Sequence, residues 1–148
     1  MKVTHILLTT DLSEEANRGF VAAREMAARH DAKITLLNVV ENLQVAPHGA
    51  PFAPPQDDPQ APALAASALA GLEERRMILG DDIEVNCATT FGTDVGVAVA
   101  DYAADNGCDM IVMSSHGRTG FRRLVLGSVA ETVLRHAGVP VLCVPQQG

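Results

Sequence analysis

Short strand-like runs alternate with helical segments along the whole chain, and this alternation constrains the fold more than any other feature. Apolar runs of strand type lie at residues 5–8, 33–40, 83–89, 108–113 and 139–145. Helical periodicity fills the intervals at 14–30, 63–79, 94–106 and 129–136, and the first of these places Ala16, Phe20, Ala23, Ala27 and His30 on one apolar face. Because strands separated by helices connect by right-handed crossovers, the order predicts an α/β fold with a mostly parallel sheet and helices on both faces.

The ends of the first and fourth strands indicate where a ligand would bind. In open α/β sheets, ligands bind beyond the carboxyl ends of the strands, at the point where the strand order reverses. The first strand ends near Asp11 and the fourth near Ser114. If these two strands are neighbours, their loops face one another, so we expect a shared site there.

The segment after the fourth strand has the composition of an anion-binding loop. Glycines at 117, 120 and 127 would let backbone N–H groups approach an anion closely, and Arg118, Arg122 and Arg123 lie beside them. Ser128, with Glu131 three residues later, predicts a capping box at the start of helix 129–136. A helix start exposes unpaired N–H groups and the positive end of a dipole, so the segment predicts an anion site.

Several nucleotide-binding and signalling classes are excluded by the loops. There is no Gly-x-x-x-x-Gly-Lys, so a Walker-type phosphate loop is excluded. The turn after the first strand contains no glycine, which excludes a dinucleotide fingerprint. A phosphoacceptor receiver would need paired acids after strand 1 and a lysine after strand 5, but only Asp11 is present and no lysine follows Lys33.

Composition and charge set the class of protein. The 148 residues suffice for one domain with one sizeable core, so residues 1–148 are predicted to form a single domain. The net charge of −7 and the pI of about 5.1 argue against nucleic acid as a partner. No apolar run approaches the roughly 20 residues that cross a bilayer, and no signal-peptide pattern opens the chain, so we expect a cytoplasmic protein with no membrane partner.

Three cysteines, Cys87, Cys108 and Cys143, are widely spaced in apolar surroundings. Their odd number and spacing favour reduced core residues over a disulfide or zinc framework.

Residues 41–62 differ in character from the rest of the chain. This stretch holds six prolines, at 47, 51, 54, 55, 59 and 62, and little that could form a core. Prolines fix φ and remove hydrogen-bond donors, so an irregular surface insert is predicted. It is either a lid or partner-binding loop or a tolerated insertion.

Separated segments of the chain match one known family in the right order. They are Ile6-Leu7-Leu8-Thr9-Thr10-Asp11-Leu12-Ser13, Leu36-Leu37-Asn38-Val39, Ser114-Ser115-His116-Gly117-Arg118-Thr119-Gly120, Leu126-Gly127-Ser128-Val129-Ala130-Glu131 and Val139-Pro140-Val141-Leu142-Cys143-Val144. Together they resemble the universal stress protein family. The resemblance implies a five-stranded sheet of order 3-2-1-4-5, a Rossmann-like fold of the adenine nucleotide alpha hydrolase type.

The family's ATP-binding branch carries the motif Gly, two residues, Gly, nine residues, then Gly-Ser or Gly-Thr. Here Gly117, Gly127 and Ser128 fit this spacing, whereas Ser114 replaces the first glycine. Serine keeps a backbone N–H and adds a hydroxyl, but brings a Cβ close to the ligand. The resemblance implies that ATP, with Mg²⁺ as a possible companion, is the bound cofactor.

Residue by residue, the resemblance implies contacts of Asp11 and the Val39 backbone with adenine. It places the ribose near Met113 and Ser114, and the phosphates at the glycine-bearing loop and the start of its helix. The full candidate nucleotide-binding set is Thr9, Asp11, Val39, Met113, Ser114, His116, Gly117, Arg118, Gly127, Ser128 and Val129. The resemblance also implies a homodimer formed through the final strand, Val141–Val144.

Simpler interpretations stay open for several of these residues. Asp11 is either a nucleotide contact or an Asx-type turn residue, or both. His116 either contacts phosphate, acts as an acid or base, or is a solvated loop residue. The arginines either pair with phosphate or form an exposed basic face. Ser128 is predicted to cap its helix with or without a ligand.

Binding is a better interpretation of the sequence than catalysis. No nucleophile has a matched base, and no paired acids or metal-ligand spacing stand out, so neither catalytic nor metal-binding residues are assigned. The sequence thus predicts a non-enzymatic stress-response module that binds ATP and signals through a dimer or partner surface. The alternatives are a protein-interaction or chaperone-like module that binds no ATP, acting through the insert or the final strand, and a very slow ATPase that uses His116.

Overall fold

Five strands alternate with four α-helices along the part of the chain described by the structure. It is a computed structural model that describes residues 1–41, 59–115 and 126–145. The strands are β1 (His5–Thr9), β2 (Lys33–Glu41), β3 (Val85–Gly92), β4 (Met110–Ser114) and β5 (Val141–Val144). The helices are α1 (Arg18–His30), α2 (Ala61–Leu79), α3 (Val95–Asp105) and α4 (Ser128–His136), and a 3-10 turn (Glu15–Asn17) precedes α1.

The strands form one sheet in the order β3-β2-β1-β4-β5, with every neighbouring pair parallel. The predicted fold class and strand order are confirmed. β1 is central, pairing with β2 from His5 to Thr9 and with β4 through Ile6, Leu7 and Leu8. Because the order reverses between β1 and β4, their carboxyl ends flank the point where such sheets bind ligands.

Side chains of alternate residues in the central strands pack into two hydrophobic cores, one on each face of the sheet. Ile6 and Leu8 pack with residues of α1 and α2, including Phe20 and Leu72. Leu7 packs on the opposite face with residues of α3 and α4. Strands buried on both faces explain why these runs are continuously apolar, and helices lie on both faces as predicted.

The amino ends of β1 and β4 are held together by one carboxylate. Asp109, just before β4, accepts hydrogen bonds from the Thr4 backbone N–H at 2.7 Å, the Thr4 hydroxyl at 2.8 Å and the His5 backbone N–H at 2.9 Å. The Thr4 backbone N–H is the main cause that holds the pKa of Asp109 below its usual value. This clamp lies at the end of the sheet opposite the predicted site.

Some element boundaries, and the burial of one residue, differ from the sequence expectations. β3 runs to Gly92 rather than ending at 89, because its last residues pair with Val39, Val40 and Glu41 of β2. The segment before α1 begins as a 3-10 turn, and His30, expected on the buried face, is exposed in the last turn. Asp31, with φ of 55°, ends α1 where predicted.

Much of the proline-rich insert, residues 42–58, lies outside the described residues, and the single-domain assignment of 1–148 stays a prediction. Among the described helices, none is both long enough and apolar enough to cross a bilayer. The three cysteines are free.

Candidate functional site

A tight turn at the carboxyl end of β1 forms the centre of the site. Thr10 N–H still follows the sheet and donates to the Leu37 carbonyl at 3.0 Å. The Thr10 hydroxyl then accepts from Leu12 N–H at 3.0 Å, and the Asp11 carboxylate accepts from Ser13 N–H at 2.9 Å. The Asx-turn interpretation of Asp11 is therefore confirmed, and its position in the turn leaves the nucleotide-contact interpretation open.

Leu12 has a left-handed backbone, with φ of 66°, which is uncommon for a residue with a branched side chain. Such a conformation costs on the order of 1–3 kcal/mol and persists only when its surroundings fix it. The turn therefore depends on the hydrogen bonds and packing around Leu12.

A buried asparagine joins the turn to β2. Asn38 lies in the middle of an apolar strand, and its side-chain N–H₂ donates to the Thr10 carbonyl at 2.9 Å. Since a buried amide is costly unless it is hydrogen-bonded, this bond accounts for the one polar side chain near the end of that run. Val39, Val40 and Glu41 follow it at the rim of the sheet.

The chain returns to the sheet at the start of α4 through two backbone bonds. Ser115 N–H donates to the Val144 carbonyl at 2.9 Å, and Gly127 N–H donates to the Ser115 carbonyl at 3.0 Å. The end of β4 and the start of α4 are thereby held side by side.

The predicted capping box at Ser128 is wrong. α4 begins at Ser128 itself, so Gly127 is the N-cap residue and the helix start has no side-chain cap bond from it. Ser128 is the first helical residue and therefore does not hold the N-cap position, whose side chain accepts from the N2 or N3 N–H. Its carbonyl accepts from the Thr132 hydroxyl at 2.9 Å. A glycine N-cap leaves the first N–H groups of α4 without a competing side-chain acceptor.

These elements enclose a cleft of about 600 Å³, which we call the β1–β4 cleft. Its described lining residues are Thr9, Thr10, Asp11, Leu12, Ala16, Asn38, Val39, Val40, Glu41, Leu64, Ser67, Ala68, Val95, Met113, Ser114, Ser115, Gly127, Ser128, Val129 and Ala130. Eight of these belong to the predicted set: Thr9, Asp11, Val39, Met113, Ser114, Gly127, Ser128 and Val129. Every predicted site residue that the structure describes thus lies on one cleft.

The other three predicted residues, His116, Gly117 and Arg118, lie outside the described residues, as do Arg122 and Arg123. Their contribution to the cleft stays a prediction.

Sequence reasoning missed the wall of the cleft formed by α2. Leu64, Ser67 and Ala68 line it, yet nothing in an alanine-rich helix indicates which side faces a ligand. A signal did exist for Asn38, since an amide within a buried apolar strand needs a specific partner.

The described lining residues carry charges of one sign. Asp11 and Glu41 are acidic, and no lysine or arginine lines the cleft among the described residues. Favourable potential for an anion comes from the N-terminal end of α4, where Gly127, Ser128 and Val129 meet the cleft. No group of three or more metal-ligating side chains occurs within residues 1–41, 59–115 and 126–145.

A second cavity of about 390 Å³ lies between the end of β3 and α3. Asp94, Asp101 and Asp105 line it, and none of the predicted site residues does.

A five-stranded parallel sheet of order 3-2-1-4-5, with a cleft where the order reverses, defines the Rossmann-like α/β class. Within that class the chain belongs to the universal stress protein family, whose model matches residues 2–145. The resemblance inferred from the separated motifs is thereby confirmed.

Relatives support the assignment over nearly the whole chain. The putative universal stress protein SH1215 of Staphylococcus haemolyticus is 29% identical over 140 residues, covering 95% of this chain and 83% of the relative. The putative universal stress protein SAUSA300_1656 of Staphylococcus aureus USA300 is 30% identical over 141 residues, covering 95% and 82%.

Solved structures show the same fold. The hypothetical protein MJ0577 superposes with a TM-score of 0.82 at 24% identity, covering 100% of this chain and 99% of that one. The universal stress protein UspA from Lactobacillus plantarum has a TM-score of 0.76 at 26% identity, covering 97% and 99%.

Two similar folds are known with nucleotides. One is a universal stress protein in complex with cAMP, with a TM-score of 0.68, 22% identity and coverage of 99% and 100%. The other is the Arabidopsis thaliana family member At3g01520 with AMP bound, with a TM-score of 0.63, 18% identity and coverage of 98% and 93%.

Proposed function

We propose that this chain is a non-catalytic stress-response module that binds an adenine nucleotide, ATP, in the β1–β4 cleft. The observation that carries the proposal is the convergence of all eight described candidate residues on one cleft at the reversal of strand order. The AMP and cAMP complexes of two similar folds support adenine nucleotides as the ligand class. The cleft volume of about 600 Å³ suits a ligand of nucleotide size.

Each part of the nucleotide has a place in the cleft. Asp11 and the backbone of Val39 hold the base at the end of the β1–β2 pair. Met113 and Ser114, at the end of β4, flank the ribose. The N–H groups at the start of α4 hold phosphate, and the glycine N-cap at 127 keeps them accessible.

The charge of the described lining leads us to expect a role for Mg²⁺ in ATP binding. Asp11 and Glu41 disfavour a polyanion, whereas a divalent cation bound together with the phosphates would offset the repulsion. We expect Mg²⁺ to strengthen binding of ATP more than binding of AMP, because AMP brings less negative charge.

Signalling then follows from occupancy. A ligand shifts a conformational equilibrium only by as much as its affinity differs between the two conformations. The protein must therefore have two conformations that differ in the dimer or partner surface and that bind ATP with different affinities. We propose a homodimer formed through β5, the edge strand, whose Leu142 is 37% exposed. The proposed location is the cytoplasm.

Calorimetric titration of nucleotide-stripped protein with ATP, AMP and GTP, each with and without Mg²⁺, tests the proposal. Micromolar or tighter binding of ATP that strengthens with Mg²⁺, with GTP much weaker, is the expected result. No heat and no rise in melting temperature with any adenine nucleotide would refute it.

A second candidate function is protein interaction without a nucleotide. The acidic lining of the described cleft favours it, as do the exposed apolar side chains of Leu64, Met77 and Ile78 on α2. This chaperone-like activity should appear as suppression of aggregation of a denatured client protein, unaffected by ATP. Loss of the activity on ATP addition would favour the nucleotide-dependent module instead.

A further inference from the structure

We propose that Arg75 of α2 is a positioning residue for the β1–β4 cleft, which holds the turn after β1 in its binding conformation. This inference rests on the proposed nucleotide function and extends it to a residue that does not line the cleft. Arg75 lies about one helical turn beyond Gly71 on α2, and it reaches across to the turn that contains Thr10, Asp11 and Leu12.

The guanidinium group bridges two elements of the cleft. Its Nη2 donates to the Leu12 carbonyl, and its Nη1 donates to the Gly71 carbonyl of its own helix at 3.1 Å. The planar guanidinium group of arginine can donate to two such acceptors in fixed directions, whereas the donors of lysine all lie on one ammonium nitrogen. Arg75 therefore ties the position of α2 to the backbone of the turn.

The turn requires such support because Leu12 is in the left-handed region, with φ of 66°. Among the described residues, only the Thr10 hydroxyl and the Arg75 guanidinium form hydrogen bonds with the Leu12 backbone. A strained backbone persists where its surroundings fix it, so loss of the Arg75 bond should let the turn relax. Asp11 then leaves the position from which it faces the cleft.

Packing between α2 and the same leucine provides an independent observation. A Cβ at Gly71 would lie 3.2 Å from Leu12 Cδ1, so helix and turn are in close contact and a side chain at 71 would push on Leu12. On the same helix, Leu64, Ser67 and Ala68 line the cleft. The contacts of α2 with Leu12 thus fix the turn relative to the wall of the cleft that α2 forms.

One feature of Arg75, its buried Nε, is unfavourable for the stability of the fold. Its buried Nε has no hydrogen-bond partner among the described residues. An unpaired buried donor opposes folding. Methionine removes this donor together with both hydrogen bonds and keeps much of the apolar stem, so Arg75→Met should change ligand affinity more than stability.

Arg24 offers a matched control. It also donates through Nη1 to a backbone carbonyl, that of Leu79, and it pairs with Asp82 at 3.1 Å. Among the described residues it neither lines the β1–β4 cleft nor bonds to the turn, so Arg24→Met removes a comparable interaction at a distance from the site.

The experiment measures ATP affinity with Mg²⁺ by calorimetry for the wild type, Arg75→Met, Arg75→Lys and Arg24→Met. If the binding-competent turn falls to about a tenth of the population, the apparent Kd of Arg75→Met rises about tenfold. We expect Arg75→Lys to lie between this variant and the wild type, and Arg24→Met to stay within about twofold of the wild type. Gly71→Ala, which leaves the guanidinium in place, should also weaken binding.

Hydrogen–deuterium exchange without ligand separates this proposal from the proposed function. In Arg75→Met, the amides of Leu12 and Ser13 should exchange faster, whereas Arg24→Met should leave them unchanged. If the wild type binds no nucleotide, the proposed function fails, and the exchange result alone decides whether Arg75 holds the turn. Unchanged exchange at Leu12 and Ser13, or unchanged ATP affinity in Arg75→Met, would overturn the positioning role.

Discussion

Replacing Gly127 with valine should separate ligand binding from stability at the start of α4. Gly127 is the N-cap residue, with φ of −59° and ψ of 154°, a conformation that any residue adopts, so the substitution introduces no backbone strain. Valine is a poorer N-cap than glycine, and we expect a loss of about 1 kcal/mol in unfolding free energy. For a chain of this size, that lowers the melting temperature by roughly 2–4 °C.

The effect on ATP binding should be much larger. Gly127 lines the β1–β4 cleft immediately before the first N–H groups of α4, so we expect a branched side chain there to keep a phosphate from approaching them. Losing one charge-assisted hydrogen bond costs about 1.5–3 kcal/mol, which corresponds to roughly 10- to 150-fold in Kd. Calorimetry and a thermal melt of the same sample measure both quantities.

Gly138 provides the control for Gly127→Val. A Cβ at Gly138 would meet nothing within 4 Å, and this residue does not line the cleft. Gly138→Val should leave ATP affinity unchanged. If folded Gly127→Val binds ATP as tightly as the wild type does, the start of α4 does not hold the phosphates.

Three further predictions concern packing, acid stability and thiol chemistry. Gly96→Ala places a Cβ 2.5 Å from Thr132 Cβ and 3.0 Å from the Val129 carbonyl oxygen. Although alanine has the better helix propensity, this overlap should lower the free energy of unfolding in urea by about 1–3 kcal/mol. It should also weaken ATP binding, because it displaces the start of α4. The folded pKa of Asp109 is below its usual 3.8, so its contribution to stability is present above pH 3.8 and is lost as the pH falls through the folded value. The wild-type urea midpoint should therefore fall on acidification below pH 3.8, and Asp109→Asn should start lower at neutral pH and fall less; equal slopes would contradict the assignment. Burial raises the pKa of the Cys87 and Cys108 thiols to about 11. Labelling with a thiol reagent at pH 7 should therefore be slow in the native protein and fast in urea. Rapid labelling of either residue in the native protein would contradict that burial.

The fold could be predicted from the sequence because its signals are local and repeated. Continuous apolar runs such as 5–8 and 33–40 are typical of strands buried on both faces, and the helices between them leave a parallel sheet as the arrangement that buries all the apolar faces. The end of β3 was mispredicted because its extension depends on pairing with β2, which is a tertiary contact. Thr90 and Phe91 are residue types that strands favour but Gly92 is not, so local propensity does not fix where the strand ends.

The site was predicted in part for the same reason. Asp11, Ser114 and Gly127 follow strand ends or begin a helix, and strand order alone brings such positions together. The capping error at Ser128 arose because the start of a helix is uncertain by one or two residues in sequence, and one residue decides which side chain is the N-cap. The α2 wall and Arg75 depend on how α2 packs against the turn, and no sequence period encodes that packing.

Nuclear magnetic resonance of the ¹⁵N-labelled chain during titration with ATP and Mg²⁺ shows directly whether the β1–β4 cleft binds the nucleotide. We expect saturable shifts of the backbone amides of Thr10, Leu12, Asn38, Ser128 and Val129, which surround the β1–β4 cleft. Amides beside the cavity at β3 and α3, such as Thr93 and Asp101, should stay unchanged. Shifts confined to that second cavity, or no shifts at millimolar ATP, would contradict the claim that this cleft is a nucleotide site.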